Sequence, residues 1–96
     1  MAQVTRAKHD EIDRLLDLST AAWEELPELA EEIDGWDDES QQAYLAEWPL
    51  EEDRLARLGA HADAGRMGDA QLERYRRLLE LADANRPSLA RLFAAS

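Results

Sequence analysis

The sequence contains no cysteine, and this absence excludes several kinds of site. Without a thiol there is no disulfide framework, no thiolate metal site and no cysteine nucleophile. Long apolar runs are also missing, because none approaches the roughly 18 residues that a transmembrane helix needs. The segment 1–13 lacks the apolar core of a secretory signal peptide. We therefore expect a soluble, cytoplasmic protein.

Valine, isoleucine and threonine are scarce, and these are residues that favour β-strands. Alanine and leucine dominate the apolar residues instead, and both favour helices. A chain of 96 residues is long enough for one hydrophobic core. We predict a single all-α domain over residues 1–96, built as a small bundle of about four principal helices.

Basic residues are few, with 11 Lys and Arg against 22 Asp and Glu. Residues 1–53 hold 17 acids and 3 bases, a net charge of −14, whereas residues 54–96 hold 5 acids and 8 bases, a net charge of +3. A net charge of −11 argues against direct binding of nucleic acid, since phosphate contacts need clustered Lys and Arg. Either the two halves pack together and partly neutralise one another, or the acidic half is displayed to a basic partner.

A stripe of apolar residues at helical spacing organises the first half of the chain. It predicts a helix over residues 5–34, with Thr5 as its N-cap and Gly35 as its stop. Pro27 lies inside this segment, so we expect a kink or a break there. The apolar stripe consists of Ile12, Leu15, Leu16, Ala22, Trp23, Leu26, Leu29, Ala30 and Ile33.

Proline and glycine divide the rest of the chain into three predicted helices, over residues 37–47, 49–64 and 69–94. Asp37 and Asp69 are the predicted N-caps, and Pro49 is expected to begin a helix after a corner at residues 47–50. Residues 65–68 form the clearest loop. The last helix is expected to kink or break at Pro87, and its stripe reads Leu72, Tyr75, Leu79, Ala82, Arg86, Leu89 and Phe93.

The two long end helices are expected to pack against each other, with Leu26 and Leu79 in their shared core. Arg86 interrupts the apolar stripe of the last helix. Either the helix breaks beside it, or Arg86 lies along the apolar face and reaches a carboxylate of the first half.

Clustered carboxylates raise the question of a metal site or an enzyme. A di-iron helical bundle needs Glu-x-x-His pairs, and neither His9 nor His61 stands three residues after a glutamate. Glu28 with Glu31 and Glu80 with Asp83 have the spacing of the magnesium ligands in all-α nucleotide pyrophosphohydrolases, but such spacings arise often by chance in an acidic chain. No phosphate-binding loop, nucleophile elbow or zinc-protease helix is present. We predict no catalytic residue, metal ligand or cofactor.

Six carboxylates line the predicted first helix opposite its apolar stripe: Asp10, Asp13, Asp17, Glu24, Glu28 and Glu31. Several of them repel each other at helical contact spacing, each pair at about 0.2 to 0.5 kcal/mol. They form either a solvated face or a recognition surface for a basic protein. Trp36 and Trp48 likewise either fill the core or project as anchors for a partner.

These patterns favour a small, acidic, non-enzymatic protein-binding module. A bacterial antitoxin, or a similar inhibitor of a basic nucleic-acid-binding protein, fits this description. The first alternative is a homodimer whose end helices form a larger bundle. The second is a magnesium-dependent enzyme of the pyrophosphohydrolase kind.

Overall fold

The computed structural model describes the backbone of residues 2–95 and the side chains of residues 10–94. This part of the chain forms three long α-helices and no strand: α1 (Ala2–Glu32), α2 (Asp38–Asp63) and α3 (Asp69–Ala95). One turn of 3₁₀ helix, Ile33–Gly35, follows α1. The all-α prediction is confirmed. The number of principal helices is three instead of four, because the predicted second and third helices are one continuous helix.

All three prolines of the chain lie inside these helices, and all three are exposed. The predicted corner at residues 47–50 is therefore wrong, and no break occurs at Pro27 or Pro87. Packing accounts for the difference in α2. Its buried residues Leu45, Trp48, Leu55 and Leu58 lie on both sides of Pro49. Burial of each such side chain contributes about 1.5 to 3 kcal/mol to stability. The sum over the four side chains exceeds the roughly 3 kcal/mol that an interior proline costs.

The side-chain contacts between helices show how the three helices run. Trp23 of α1 meets Trp48 of α2, while Glu11 near the start of α1 pairs with Arg57 near the end of α2, so these two helices are antiparallel. The third helix runs parallel to α1, because Arg74 contacts Asp17 and the later Arg86 contacts the later Trp23. The result is an elongated three-helix bundle of 50 × 22 × 17 Å, in which α1 packs mainly against α3, as predicted for the two end helices.

The apolar stripe of α1 enters the core as predicted. Ile12, Leu16, Trp23 and Leu26 are fully buried there, while Ala22, Leu29 and Ala30 lie half-buried at its margins. The remaining buried members of the cluster are Leu15, Trp48, Leu55, Leu58, Met67, Leu78, Ala82 and Leu89.

The predicted face of α3 is wrong at two positions. Leu78 is 1% exposed and belongs to the core, whereas its neighbour Leu79 is 36% exposed. Phe93 is 43% exposed, and Leu92 packs against the core instead. The observed face requires a polar residue, Asn85, to be buried, and the local structure makes this possible because the Asn85 amide donates to the Leu81 carbonyl at 2.8 Å.

Arg86 lies beside the core without breaking α3. Its guanidinium carbon is 5.4 Å from the centroid of the Trp23 ring, and its Nη1 donates to Oε1 of Glu52 at 3.1 Å. The second alternative for this residue is thus confirmed, since Arg86 covers an aromatic ring and reaches a carboxylate of the first half of the chain.

The helix ends combine confirmed and corrected predictions. Asp37 caps α2, accepting from the Ser40 N–H at 2.7 Å. Asp69 is the first residue of α3 and not its cap; instead, Gln71 Oε1 accepts from the N–H of Gly68 at 3.0 Å, as in one half of a capping box. Thr5 already lies inside α1. The loop at residues 65–68 is confirmed, and Gly65 has a φ of 70°, a left-handed conformation that favours glycine.

None of the helices in the described part of the chain combines the length and the apolarity that a membrane crossing requires.

Candidate functional site

The predicted acidic face of α1 is exposed along its length. Each of its six carboxylates is accessible to solvent: Asp10, Asp13, Asp17, Glu24, Glu28 and Glu31. Only part of this face is free to meet another molecule, because its two ends differ in their contacts.

The N-terminal part of the face contacts α3. Arg74 forms an ion pair with Asp17, and a second Arg74 nitrogen lies 4.0 Å from Asp13. The amide of Gln71 also donates to Asp13 at 2.9 Å. These pairs are largely exposed, so each contributes about 0 to 1 kcal/mol. Asp13 and Asp17 are thus partners within the fold, as expected if the two halves of the chain partly neutralise one another.

The C-terminal part of the face is different, because the chain has no Lys, Arg or His between Arg14 and Arg54. In this span, only Asp17, Glu51 and Glu52 form ion pairs among the described side chains. The other acidic residues around the α1–α2 connection form no ion pair with a described side chain, and we call them the acidic end. They are Glu24, Glu25, Glu28, Glu31, Glu32, Asp34, Asp37, Asp38, Glu39 and Glu47.

Some members of the acidic end have arginines across open grooves. Glu24 shares a groove of about 370 Å³ with Arg74 and Arg77, and Glu31 shares another with Arg91. Glu28 and Glu32 line neither of these grooves. Among the described side chains, these two glutamates therefore have neither an ion pair nor an arginine across either groove.

The tryptophans divide between core and margin. Trp48 is 3% exposed and meets the Trp23 ring edge to face, with centroids 5.0 Å apart. The alternative in which Trp48 projects from a helix corner is wrong, because no corner exists there and the ring is buried. Trp36 is half-buried and folds back onto Tyr44, with ring centroids 6.0 Å apart. Part of Trp36 thus remains accessible beside the acidic end.

A small cleft of about 140 Å³ lies between α1 and α2 next to these rings. Two aromatic rings and three carboxylates dominate its lining, which consists of Ala22, Glu25, Tyr44, Glu47, Trp48 and Glu51. Burial, with the charges of Glu25 and Glu51, raises the pKa of Tyr44 to about 12. Burial also raises the pKa of Glu51, an effect that Arg54 opposes and Glu47 reinforces. We call this site the Tyr44 cleft.

Three groups at the Tyr44 cleft are buried without a hydrogen-bond partner among the described residues. They are the Tyr44 hydroxyl, Oε2 of Glu51 and the indole N–H of Trp48. The other carboxylate oxygen of Glu51 accepts from Arg54. A buried polar group without a partner costs about 1 to 3 kcal/mol, so this cleft is the least satisfied polar region among the described side chains.

The sequence prediction missed Glu25, Glu47, Glu51 and Tyr44 as site residues. Tyr44, Glu47, Trp48 and Glu51 follow one another at spacings of three, one and three, which places them on one helix face. The signal was therefore present in the sequence. The predicted corner at residues 47–50 concealed it, because it assigned Glu51 to a different helix from Tyr44.

The carboxylate spacings considered for a metal site do not form one among the described residues. Within the described residues, no three His, Asp or Glu side chains lie close enough together to hold a metal ion. The spacings of Glu28 with Glu31 and of Glu80 with Asp83 thus have no structural counterpart in a metal cluster. The side chain of His9 lies outside the described residues.

The described site therefore consists of carboxylates, aromatic rings and hydrogen-bonding groups without a partner among the described residues. Comparison of the chain with protein-family models, curated proteins and solved structures finds no match in any of the three. Charge and geometry are thus the basis for assigning a function.

Proposed function

We propose that this chain is a small, non-enzymatic protein-binding module that engages a basic protein through its acidic end. The observation that carries this proposal is the concentration of ten carboxylates that form no ion pair with any described side chain, in a stretch that contains no basic residue. Neighbouring like charges on a helix destabilise it by about 0.2 to 0.5 kcal/mol per pair. A partner with clustered Lys and Arg would relieve this repulsion.

The net charge of −11 supports a partner of this kind. A strongly negative field attracts a basic protein over distances of about a Debye length and accelerates association. The same field repels nucleic-acid phosphates. Proteins that bind nucleic acids carry the clustered basic residues that the acidic end would attract. An antitoxin-like inhibitor that covers such a surface is the specific form of this proposal.

The contacts of α1 shift the proposed interface along the helix. Asp13 and Asp17 already contact α3 through Gln71 and Arg74. Reversing those charges would therefore disturb the fold as well as any interface. Glu28 and Glu32 offer a cleaner test, since neither forms an ion pair among the described residues.

The experiment is affinity capture from the lysate of the source cells, with the double variant Glu28→Lys/Glu32→Lys compared with wild type. The matched control, Glu73→Lys/Glu80→Lys, makes the same change in net charge on exposed positions of α3, where it removes only the solvent-exposed pair of Glu73 with Arg77, worth about 0 to 1 kcal/mol. We expect wild type and control to capture the same protein, with clustered Lys and Arg in its sequence, and the Glu28/Glu32 variant to lose it.

Capture that is equally strong for all three proteins would contradict the proposal. Equal loss in both variants would also contradict it, because net charge would then matter and the acidic end would not. Circular dichroism of each variant establishes that the helices are intact before capture is compared.

A further inference from the structure

We propose that the Tyr44 cleft receives an arginine side chain of the basic partner. This inference rests on the proposed function and names one contact within that interface. It is carried by the cleft itself, which combines aromatic walls, three carboxylates and buried polar groups without partners.

The walls of the cleft suit a guanidinium group. The half-buried Tyr44 ring packs against the buried Trp48 ring, with centroids 6.1 Å apart. Its accessible part can attract a planar cation through cation–π interaction. Glu25, Glu47 and Glu51 line the same space. Arginine binds carboxylates through a rigid fork of donors and is more weakly hydrated than lysine, so it is the cation best matched to this lining.

The unpaired atoms point to a ligand that donates hydrogen bonds. Oε2 of Glu51 is an acceptor without a donor, and the Tyr44 hydroxyl can also accept. Arg54 satisfies only the other oxygen of Glu51. The side chain of Glu51 is 14% exposed, so a cation that reaches it is largely removed from water, where its attraction to carboxylates is stronger.

The indole N–H of Trp48 supplies an independent observation. Trp48 is 3% exposed and lines the cleft, and its N–H has no acceptor among the described residues. Arginine has no acceptor for this N–H, so the N–H marks the cleft as an unsatisfied polar site and the acceptor atoms of Glu51 and Tyr44 select the cation. At about 140 Å³ the cleft has room for a single side-chain head group and not for a packed helix.

The test uses N-acetyl-arginine amide as the probe, with N-acetyl-citrulline amide as its neutral analogue of nearly the same shape. Each is titrated into the full chain at constant ionic strength while two-dimensional NMR follows the indole N–H signals. We expect the arginine compound to shift the Trp48 signal with a dissociation constant of about 1 mM, the scale that a ligand of this size reaches. The citrulline compound should leave it unchanged.

The variant Glu47→Gln/Glu51→Gln should weaken this binding at least about tenfold. The matched control Asp38→Asn/Glu39→Gln removes the same charge from exposed positions at the start of α2 and should bind as wild type does. Tyr44→Phe, which removes only the hydroxyl, provides a second test and should weaken binding less. Dispersed spectra establish that each variant is folded.

An equal response to arginine and citrulline compounds, or equal affinity in the Glu47/Glu51 variant and its control, would overturn the arginine site. Such a result leaves capture by the acidic end unaffected, because Glu28 and Glu32 do not line the cleft. Conversely, an arginine-specific shift of Trp48 without any difference between the capture variants would retain the site and overturn the broader acidic interface.

Discussion

Adjacent apolar residues decide which side of α3 enters the core. Leu78 and Leu79 both fit a helical stripe, as do Leu92 and Phe93, so the spacing of apolar residues alone permits two faces. The observed face buries Leu78 and Asn85. The predicted stripe followed the other face through Leu79 and Phe93, and the spacing of apolar residues does not show that Asn85 finds its acceptor one turn earlier.

We predict that Leu78→Ala lowers the free energy of unfolding by about 2 to 5 kcal/mol, because it leaves a cavity in the core. Leu79→Ala is the matched control and should cost about 1 kcal/mol or less, since that side chain is partly solvated. Urea denaturation measures both. The opposite order of stabilities would mean that the other face of α3 is buried.

The cap at Asp37 gives a second prediction at the scale of a residue. The hydrogen bond from the Ser40 N–H lowers the pKa of Asp37. A lowered folded-state pKa contributes stability above the ordinary aspartate pKa of about 3.9, and this contribution is lost as the pH falls through the lowered value. We therefore expect Asp37→Ala to lower Tm at pH 7, with the difference from wild type shrinking below about pH 4.

The companion variant Asp37→Asn separates the cap from its charge. Asparagine caps helices well and does not titrate, so this variant should keep a Tm near that of wild type at pH 7. Thermal denaturation across the pH series provides the comparison. A difference between wild type and Asp37→Ala that stays constant down to about pH 2 would show that Asp37 does not cap α2 through its carboxylate.

Among the helices, the role of proline is the main departure from the sequence-based expectation. The apolar spacing correctly predicts a long first helix and its buried face, and the glycines correctly predict the loop at residues 65–68. The predicted helix break at Pro49 is wrong, because the buried face continues through the proline. Leu45 and Trp48 before it, and Leu55 and Leu58 after it, require one helix. The Tyr44 cleft depends on that continuity, so the error in the helix also hid the site.

We predict that Pro49→Ala stabilises the protein by up to about 3 kcal/mol, because an exposed position inside a helix gains both a hydrogen bond and a better helix former. Pro27→Ala and Pro87→Ala should shift stability in the same direction. Guanidinium chloride denaturation monitored by circular dichroism measures the effect. A loss of helix content or stability in Pro49→Ala would indicate instead that proline begins a helix there.

At the scale of the whole molecule, charge is distributed unevenly along the bundle. Most acidic residues lie in the first half of the chain. Ion pairs to Arg57, Arg74 and Arg86 show that the second half neutralises part of this negative charge. The sequence alone does not identify which carboxylates are paired. That division depends on how α3 lies against α1, which is set by long-range packing.

Self-association is the alternative at this scale. Among the side chains of residues 10–94, four large apolar ones are exposed, and they come from all three helices: Leu18, Leu50, Leu79 and Phe93. A homodimer would bury some of them. Light scattering tests this directly, because a dimer has twice the chain mass of 10.9 kDa. A mass of one chain at every concentration would remove the homodimer alternative.

The most direct test of the acidic interface is the association rate with the purified, captured partner, measured by stopped-flow fluorescence at ionic strengths from about 0.05 to 0.5 M. We expect the wild-type rate constant to fall steeply with salt, and the rate constant of Glu28→Lys/Glu32→Lys to be lower with a shallower salt dependence. Glu73→Lys/Glu80→Lys should stay near wild type. Rates that are independent of salt and equal in all three proteins would contradict recognition through the acidic end.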